Sequence, residues 1–195
     1  MEASSDEESD CEIEEGGDGK AKIEEGEAKF DMLMAPEWDV DSFDGLEYYS
    51  SDDEPLSEDE DEEEAMEHTR IYKRQIIESK GFYVDPELRP ICHYKRIRPM
   101  SLEWKGLDDM TYREFWEQMV YVCLQKLKQD KGLNVELVEV VSGNYRCGPR
   151  SKSYITFMAR EKPDGPLVEY QAKSMFTFDR KLHPILCRPA PTPKP

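Results

Sequence analysis

The fold is decided by the stretch TYREFWEQMVYVCLQKLKQDKG at residues 111–132, which three strand-like segments follow. These segments read NVELVEVV at 134–141, SYITFMAR at 153–160 and LVEYQAKSMFTF at 167–178. One helix followed by strands with short connections is typical of a helix packed on an antiparallel sheet. We therefore predict an α+β domain.

The helix has clear start and stop signals. Thr111, with Glu114 three residues later, fits a capping box, in which each side chain satisfies a backbone amide of the first turn. Gly132 follows the last periodic residue and suits the left-handed conformation that often ends a helix. Apolar residues recur at helical spacing at Phe115, Met119, Val122, Cys123 and Leu127. The pattern predicts an amphipathic helix over this stretch.

The strand segments alternate with period two. Ile155, Phe157 and Ala159 alternate with more polar neighbours, and the same alternation runs from Leu167 to Phe178. The linker at 163–166 reads PDGP, whose proline and glycine residues favour a tight turn. We therefore expect a hairpin in an antiparallel sheet with one apolar face.

These strands resemble a known family. Glu136–Val141, Tyr154–Phe157 and Val168–Lys173 are similar to strands of the plant cystatins and, more closely, of cystatin-related plant proteins with long acidic N-termini. The resemblance covers Thr111 to Phe178, about a third of the chain. It implies a cystatin/monellin fold, with a single long helix packed on a curved antiparallel sheet of four to five strands. It also implies a relationship to inhibitors of papain-like cysteine proteases.

The inhibitory loops of that family are degenerate in this chain. In cystatins an N-terminal glycine, a Q-x-V-x-G hairpin and a Pro-Trp hairpin enter the protease cleft. Glu139–Gly143 imitates the first hairpin, but it would leave only Val135–Val138 as the preceding strand, which is shorter than usual. Alignment of the strands instead implies protease-facing loops at Tyr145, Arg146, Cys147, Gly148, Pro149, Arg150, Phe178 and Asp179. A bulky, cationic first loop and a second loop without tryptophan predict weak or absent inhibition.

Charge divides the chain into two parts. Residues 1–67 contain 29 acidic and 3 basic residues, a net charge of −26, whereas residues 68–195 contain 15 acidic and 23 basic residues, a net charge of +8. A segment so rich in like charge favours disorder. We predict a disordered acidic arm at 1–67, a basic and aromatic lead-in at 68–110, a cystatin-like domain at 111–188 and a proline-rich tail at 189–195.

The acidic arm carries its own candidate features. Ser5, Ser9, Ser51 and Ser57 each precede acidic residues, which makes them candidates for phosphorylation. Residues 39–45 hint at a calcium loop, but the glycine stands in the seventh place and we interpret them as acidic linker. The arm also holds an island of apolar residues, namely Phe30, Met32, Leu33, Met34, Trp38, Phe43, Leu46, Tyr48 and Tyr49. This island is either a motif for a partner or a segment that packs transiently on the chain's own basic domain or has no role.

Residues of potential chemical importance are scattered. The five cysteines, Cys11, Cys92, Cys123, Cys147 and Cys187, form no C-x-x-C pair. The histidines, His68, His93 and His183, lie in no catalytic motif. We expect Cys123 to pack in the core and Cys147 to be an exposed loop thiol. The sequence predicts no enzyme, no metal site and no cofactor.

The lead-in mixes cations with aromatic residues, a pattern that nucleic-acid-binding surfaces share. The cations are Arg70, Lys73, Arg74, Lys80, Lys95, Arg96 and Arg98, interleaved with Tyr72, Phe82, Tyr83 and Tyr94. Because the acidic arm would compete with a phosphate backbone, we consider nucleic acid an unlikely partner. The sequence predicts neither a membrane span nor a signal peptide, so we expect a cytoplasmic or nuclear location.

Three functions are compatible with these patterns. The first is an intracellular protein-interaction module related to papain-like protease inhibitors but weak or inactive as one, with a functional inhibitor as its alternative. The second is an acidic arm that binds basic proteins such as histones. The third is autoinhibition, in which the arm covers the basic domain until a partner displaces it.

Overall fold

The computed structural model describes residues 34–49, 60–106 and 109–191. Its α-helices are α1 (Glu60–Glu78) and α2 (Tyr112–Lys131). A short 3-10 helix spans Tyr94–Arg96. The strands are β1 (Ile97–Pro99), β2 (Glu136–Arg146), β3 (Arg150–Arg160), β4 (Val168–Thr177) and β5 (Leu182–Pro189).

The five strands form one antiparallel sheet in the order β1-β2-β3-β4-β5. The PDGP linker joins β3 to β4, and Ala159 pairs with Val168 on either side of it. The predicted α+β class and the predicted hairpin are therefore confirmed.

Helix α2 begins and ends where the sequence predicts. The Thr111 Oγ1 accepts a hydrogen bond from the Glu114 amide at 3.3 Å, and the Thr111 amide donates to Glu114 Oε2 at 2.9 Å. Gly132 has φ 69° and donates its amide to the Lys128 carbonyl at 3.0 Å. The buried face differs in detail, because Trp116 lies at its centre and is fully buried, whereas Phe115 and Val122 are only half-buried.

One face of the sheet packs on α2 through an apolar core. Its buried members are Trp116, Met119, Val120, Cys123, Leu124, Leu127, Val140, Ile155, Phe157, Ala159, Tyr170, Ala172 and Cys187. The Trp116 indole donates to Ser153 Oγ at 3.1 Å. A Cβ atom at Gly143 would lie 2.5 Å from the Trp116 ring, so only glycine allows this close approach.

The opposite face of the sheet is also covered, which differs from the expectation of a single apolar face. Tyr154 and Lys173 point to this side and are buried. A second core forms here from Phe43, Tyr72, Ile76, Phe82, Val84, Ile97, Tyr154 and Leu186. The covering layer consists of α1, the chain that follows it and residues 34–49. Alternation along β3 and β4 identified the two faces correctly, but it did not reveal this layer.

Residues 34–49 and 60–67, which we expected to belong to a disordered arm, lie in the described structure. Residues 60–67 form the first turns of α1, so the predicted boundary at residue 67 falls inside a helix. Phe43 is 1% exposed in the second core, and Asp41 is buried with it. The interpretation of residues 39–45 as acidic linker is therefore wrong. Of the two interpretations of the apolar island, packing on the chain's own domain holds for Phe43.

Several predictions lie outside the described residues. They concern Ser5, Ser9, Ser51, Ser57, Cys11, the island residues Phe30, Met32 and Leu33, and residues 192–195 of the tail.

Candidate functional site

The two predicted loops lie at one end of the sheet. Cys147–Pro149 joins β2 to β3, and Phe178–Lys181 joins β4 to β5. Arg150 at the start of β3 pairs with Thr177 at the end of β4, so the two turns project from the same end of the sheet. We call Tyr145–Ser151 together with Phe176–Lys181 the hairpin end.

An apolar cleft of about 420 Å³ separates the two turns. Its lining residues are Tyr145, Gly148, Pro149, Ser151, Phe176, Thr177, Phe178 and Arg180. The structure therefore brings together Tyr145, Gly148, Pro149 and Phe178 from the predicted loops. Burial raises the pKa of the Tyr145 phenol. Tyr145 therefore stays neutral and presents an uncharged wall to the cleft.

The second turn presents one aromatic side chain. Phe178 is 93% exposed, more than any other large apolar residue of the described chain. Its neighbour Asp179 instead folds back on the turn, where it accepts from Thr177 Oγ1 at 2.5 Å and pairs with Lys181 Nζ at 2.7 Å. The hydrogen bond from Lys181 lowers the Asp179 pKa to about 2. Asp179 therefore shapes the turn, while Phe178 is available for contact with another molecule.

A basic cleft of about 330 Å³ lies on the other side of the first turn. It is lined by Lys95, Arg96, Arg146, Cys147, Gly148, Pro149 and Arg150. Lys95 and Arg96 reach it because β1 pairs with the end of β2, Ile97 opposite Arg146. Among the described residues that line this cleft, four are cations and none is a carboxylate, so these residues give it a positive electrostatic potential.

The cations continue along the sheet behind the basic cleft. Half-buried Lys152 pairs with Met175 beside the fully buried Lys173. Burial, followed by the charges of Lys173, Arg146 and Arg150, lowers the pKa of Lys152 to about 8. The pKa of Lys95 is also lowered, by burial and by Arg146. The charges of this region therefore repel one another, and an added anion would relieve the repulsion.

Asp41, from the segment 34–49, supplies a buried negative charge to this region. Its Oδ1 accepts from Lys173 Nζ at 2.8 Å, and its Oδ2 lies 3.6 Å from Arg188 Nη2. The two side chains of the Asp41–Lys173 pair are 2% and 0% exposed. Burial lowers the pKa of Lys173, and the hydrogen bond that Lys173 donates to Asp41 opposes that shift. Removal of Asp41 would leave a buried cation beside other cations.

Further contacts hold segment 34–49 along its length. The Asp39 amide donates to the Ile185 carbonyl of β5 at 2.6 Å, and Asp39 Oδ2 pairs with Lys131 Nζ at 2.7 Å. Asp44 pairs with Lys80. At the start of the segment the Met34 carbonyl accepts from Arg150 Nη2 at 3.0 Å. The segment therefore leads the chain to the wall of the basic cleft.

The structure divides the predicted site residues between two surfaces. Arg146, Cys147 and Arg150 line the basic cleft, whereas Tyr145 and Phe178 line the apolar cleft. The rejected imitation at residues 139–143 lies within β2 and not at a bend.

Sequence reasoning missed three parts of the basic region. Lys95 and Arg96 were grouped with a possible nucleic-acid face, and Lys152 was not singled out. Lys95 and Arg96 reach the cleft because β1 pairs with β2. β1 has only three residues, which is too short for a strand pattern to be recognised in the sequence. Two aromatic residues of the lead-in, Tyr72 and Phe82, are buried in the second core, in agreement with the expectation that nucleic acid is an unlikely partner of this segment.

The described cysteines are all free thiols. Cys123 is buried in the core as predicted, and burial raises its pKa as well as that of Cys187, the latter to about 12. Cys147 is exposed beside the basic cleft. Within residues 34–49, 60–106 and 109–191, no group of three or more His, Cys, Asp or Glu side chains is arranged to hold a metal ion. Neither described helix combines the length and apolar character needed to cross a membrane.

Comparison of the chain with known proteins found no match. It matches no family model, no curated protein and no solved structure.

Proposed function

We propose that this chain is a cystatin-like protein-interaction module that docks a protein partner at the hairpin end and is weak or inactive as an inhibitor of papain-like proteases. The observation that carries the proposal is the geometry of the two turns. They lie at one end of the sheet with an apolar cleft between them, and Phe178 projects from that end with 93% of its surface exposed. An exposed aromatic residue beside a concave apolar surface is typical of a protein contact.

The cystatin-like part of the proposal is supported by the order of elements. A single helix, α2, packs on one face of a five-stranded antiparallel sheet, and the strands are neighbours in chain order. This is the arrangement that the resemblance implies. The layer of α1 and residues 34–49 on the other face is an addition to it.

The expected lack of tight inhibition follows from the side chains at the two turns. Arg146 and Arg150 stand where the family has glutamine and glycine, and Phe178-Asp179 stand where it has Pro-Trp. Because Asp179 is bonded within its own turn, it cannot serve as an anchor. Loss of an aromatic anchor in a protein interface typically costs about 2 kcal/mol or more of binding free energy. The proposed role is binding and not catalysis.

Titration of papain with the full chain tests this proposal. We expect no inhibition at nanomolar concentrations, and nanomolar inhibition would contradict the proposal. Replacement of Arg146→Gln, Arg150→Gly, Phe178→Pro and Asp179→Trp together rebuilds the family pattern, and we expect it to improve inhibition by at least about tenfold, the equivalent of 1.4 kcal/mol.

A matched control lies at the opposite end of the sheet. Lys162→Gln and Asp164→Asn change two exposed residues of the β3–β4 turn and leave the hairpin end intact. We expect these changes to leave papain binding as it is in the unmodified chain. An equal gain from the control would show that the hairpin end does not direct docking.

A further inference from the structure

The basic cleft has a second feature, an excess of positive charge, which the proposed docking of a partner at the hairpin end does not explain. It is lined by Lys95, Arg96, Arg146 and Arg150, with Lys152 behind it. Asp41 lies deeper, paired with Lys173 and near Arg188. The described cations of this region therefore outnumber its buried carboxylate several times. Such an excess of like charge at a concave surface favours an anionic ligand.

The chemistry of the lining selects an extended acidic peptide. Guanidinium groups bind carboxylates through paired hydrogen bonds, and three of the four lining cations are arginines. The cleft is open and continues along the turn at Gly148 and Pro149. A chain that carries several carboxylates can contact successive cations along this surface, which a single small anion cannot do.

The course of segment 34–49 points to the source of that peptide. Met34 is held at the cleft wall by the bond from Arg150 to its carbonyl. Residues 1–33, which precede it, contain 13 acidic and 3 basic residues, a net charge of −10. Four of these acids, Glu24, Glu25, Glu27 and Asp31, stand within ten residues of Met34. An extended chain covers about 3.5 Å per residue, so these side chains can reach the cleft without strain.

We propose that the basic cleft is a binding site for an acidic peptide segment and that residues 24–33 of this chain are the segment that occupies it. The tether favours this occupant, because a short covalent connection to Met34 gives a local concentration on the order of millimolar. An acidic partner in solution must then displace the chain's own segment. The cleft is therefore autoinhibited, and this holds whether or not the hairpin end docks a protease-like partner.

A competition experiment on the full chain tests the proposal. The probe is a fluorescein-labelled hexaglutamate peptide, and its binding is followed by fluorescence anisotropy at low salt. The test variant carries Glu24→Gln, Glu25→Gln, Glu27→Gln and Asp31→Asn. The matched control carries Glu7→Gln, Glu8→Gln, Glu12→Gln and Glu14→Gln, which remove the same charge farther from Met34. We expect the test variant to bind the probe about tenfold more tightly than the unmodified chain, and the control to change binding by about twofold or less.

A second set of changes shows whether the probe enters the cleft. In the test variant, Lys95→Gln with Arg146→Gln should abolish probe binding, whereas Lys126→Gln with Lys128→Gln on α2 should not. Arg96 is exposed, so Arg96→Gln alone provides a milder change that leaves the core untouched and should weaken binding. Binding should also fall steeply as salt is raised.

Three results would overturn the proposal. Equal probe binding by the unmodified chain and the test variant would mean that another protein's acidic segment, and not residues 24–33, is the ligand. Absence of binding by the test variant would mean that the cleft is not an acidic-peptide site. Binding that persists after the changes at Lys95, Arg96 and Arg146 would place the probe elsewhere.

Discussion

The two faces of the sheet are buried by different kinds of interaction. The face under α2 is almost wholly apolar and centres on Trp116, whose indole nitrogen bonds to Ser153. The face under α1 and residues 34–49 combines aromatic packing around Tyr154 with the buried Asp41–Lys173 ion pair. Apolar packing tolerates moderate repacking, whereas a buried ion pair must keep both partners. The second face should therefore be the more sensitive one to loss of a single charge.

The largest effect is expected on the apolar face. Replacement of Trp116→Ala removes a fully buried ring and leaves a cavity against Gly143, which should lower the free energy of unfolding by about 4 kcal/mol. Urea denaturation measures the loss. Trp104→Ala is the matched control, because Trp104 is 61% exposed and should change stability by less than about 0.5 kcal/mol. Similar losses of stability for the two variants would contradict the central position of Trp116 in the core.

A somewhat smaller loss is expected on the polar face. Asp41→Asn should cost about 3 kcal/mol, because Lys173 loses its buried counter-charge. The loss stays at this level because burial already lowers the pKa of Lys173, so the side chain can release its proton. Asp44→Asn breaks a pair in which Asp44 is 60% exposed and screened by solvent, so it should cost far less stability than Asp41→Asn. Equal costs for Asp41 and Asp44 would indicate that the buried pair has no special role.

The N-terminus of α2 should contribute less than either core. Thr111→Ala removes the side-chain oxygen of the capping box and should lower the free energy of unfolding by about 1 kcal/mol. Thr111→Ser keeps that oxygen and should stay within about 0.5 kcal/mol of the unmodified chain. Thermal unfolding of the two variants measures the difference, and a loss in the serine variant as large as in the alanine variant would argue against the cap.

The smallest effect is a gain and depends on pH. Because the folded-state pKa of Lys152 is lowered to about 8, its charge opposes folding below pH 8, and this penalty fades as pH rises toward 10.5. Lys152→Met should therefore stabilise the chain at pH 7 by up to about 1 kcal/mol, after allowance for the partial exposure of the side chain. The gain should shrink between pH 8 and 10.5 in paired urea titrations. A gain that stays constant with pH would show that packing, and not charge, is its cause.

The α2 face follows from local sequence signals. The capping box, the period of apolar residues and Gly132 each lie within one helix, and the alternation in β3 and β4 lies within single strands. Trp116 was not among the predicted apolar positions, because Phe115 and Val122 also fit a helical period. The PDGP turn was identified because proline and glycine restrict or free the backbone locally.

The second face depends on contacts between distant parts of the chain. Asp41 and Lys173 are 132 positions apart, and no local pattern distinguishes this aspartate from the other acids near it. The composition of residues 1–67 favours disorder on average, yet Phe43 and Asp41 pack into the domain. The basic cleft was missed because it also depends on a long-range contact. Lys95 lies near Arg146 only because β1 pairs with β2.

These contacts also change how function should be tested. A chain that begins at residue 68 lacks Asp41, Phe43 and the first turns of α1. Its loss of binding would report damage to the second core and not the role of the acidic residues. Substitutions of Glu→Gln and Asp→Asn in the full chain remove charge without removing the second core, so they separate loss of charge from loss of folding.

A double-mutant cycle between Asp41 and Lys173 tests most directly whether residues 34–49 are part of the folded domain. It compares the free energies of unfolding, measured in urea, of the full chain, Asp41→Asn, Lys173→Met and the double variant. We predict a coupling energy of about 2 kcal/mol or more, with the double variant more stable than Asp41→Asn alone. Strictly additive effects, with a coupling within about 0.5 kcal/mol of zero, would contradict the buried pair and with it the path that brings residue 34 to the basic cleft.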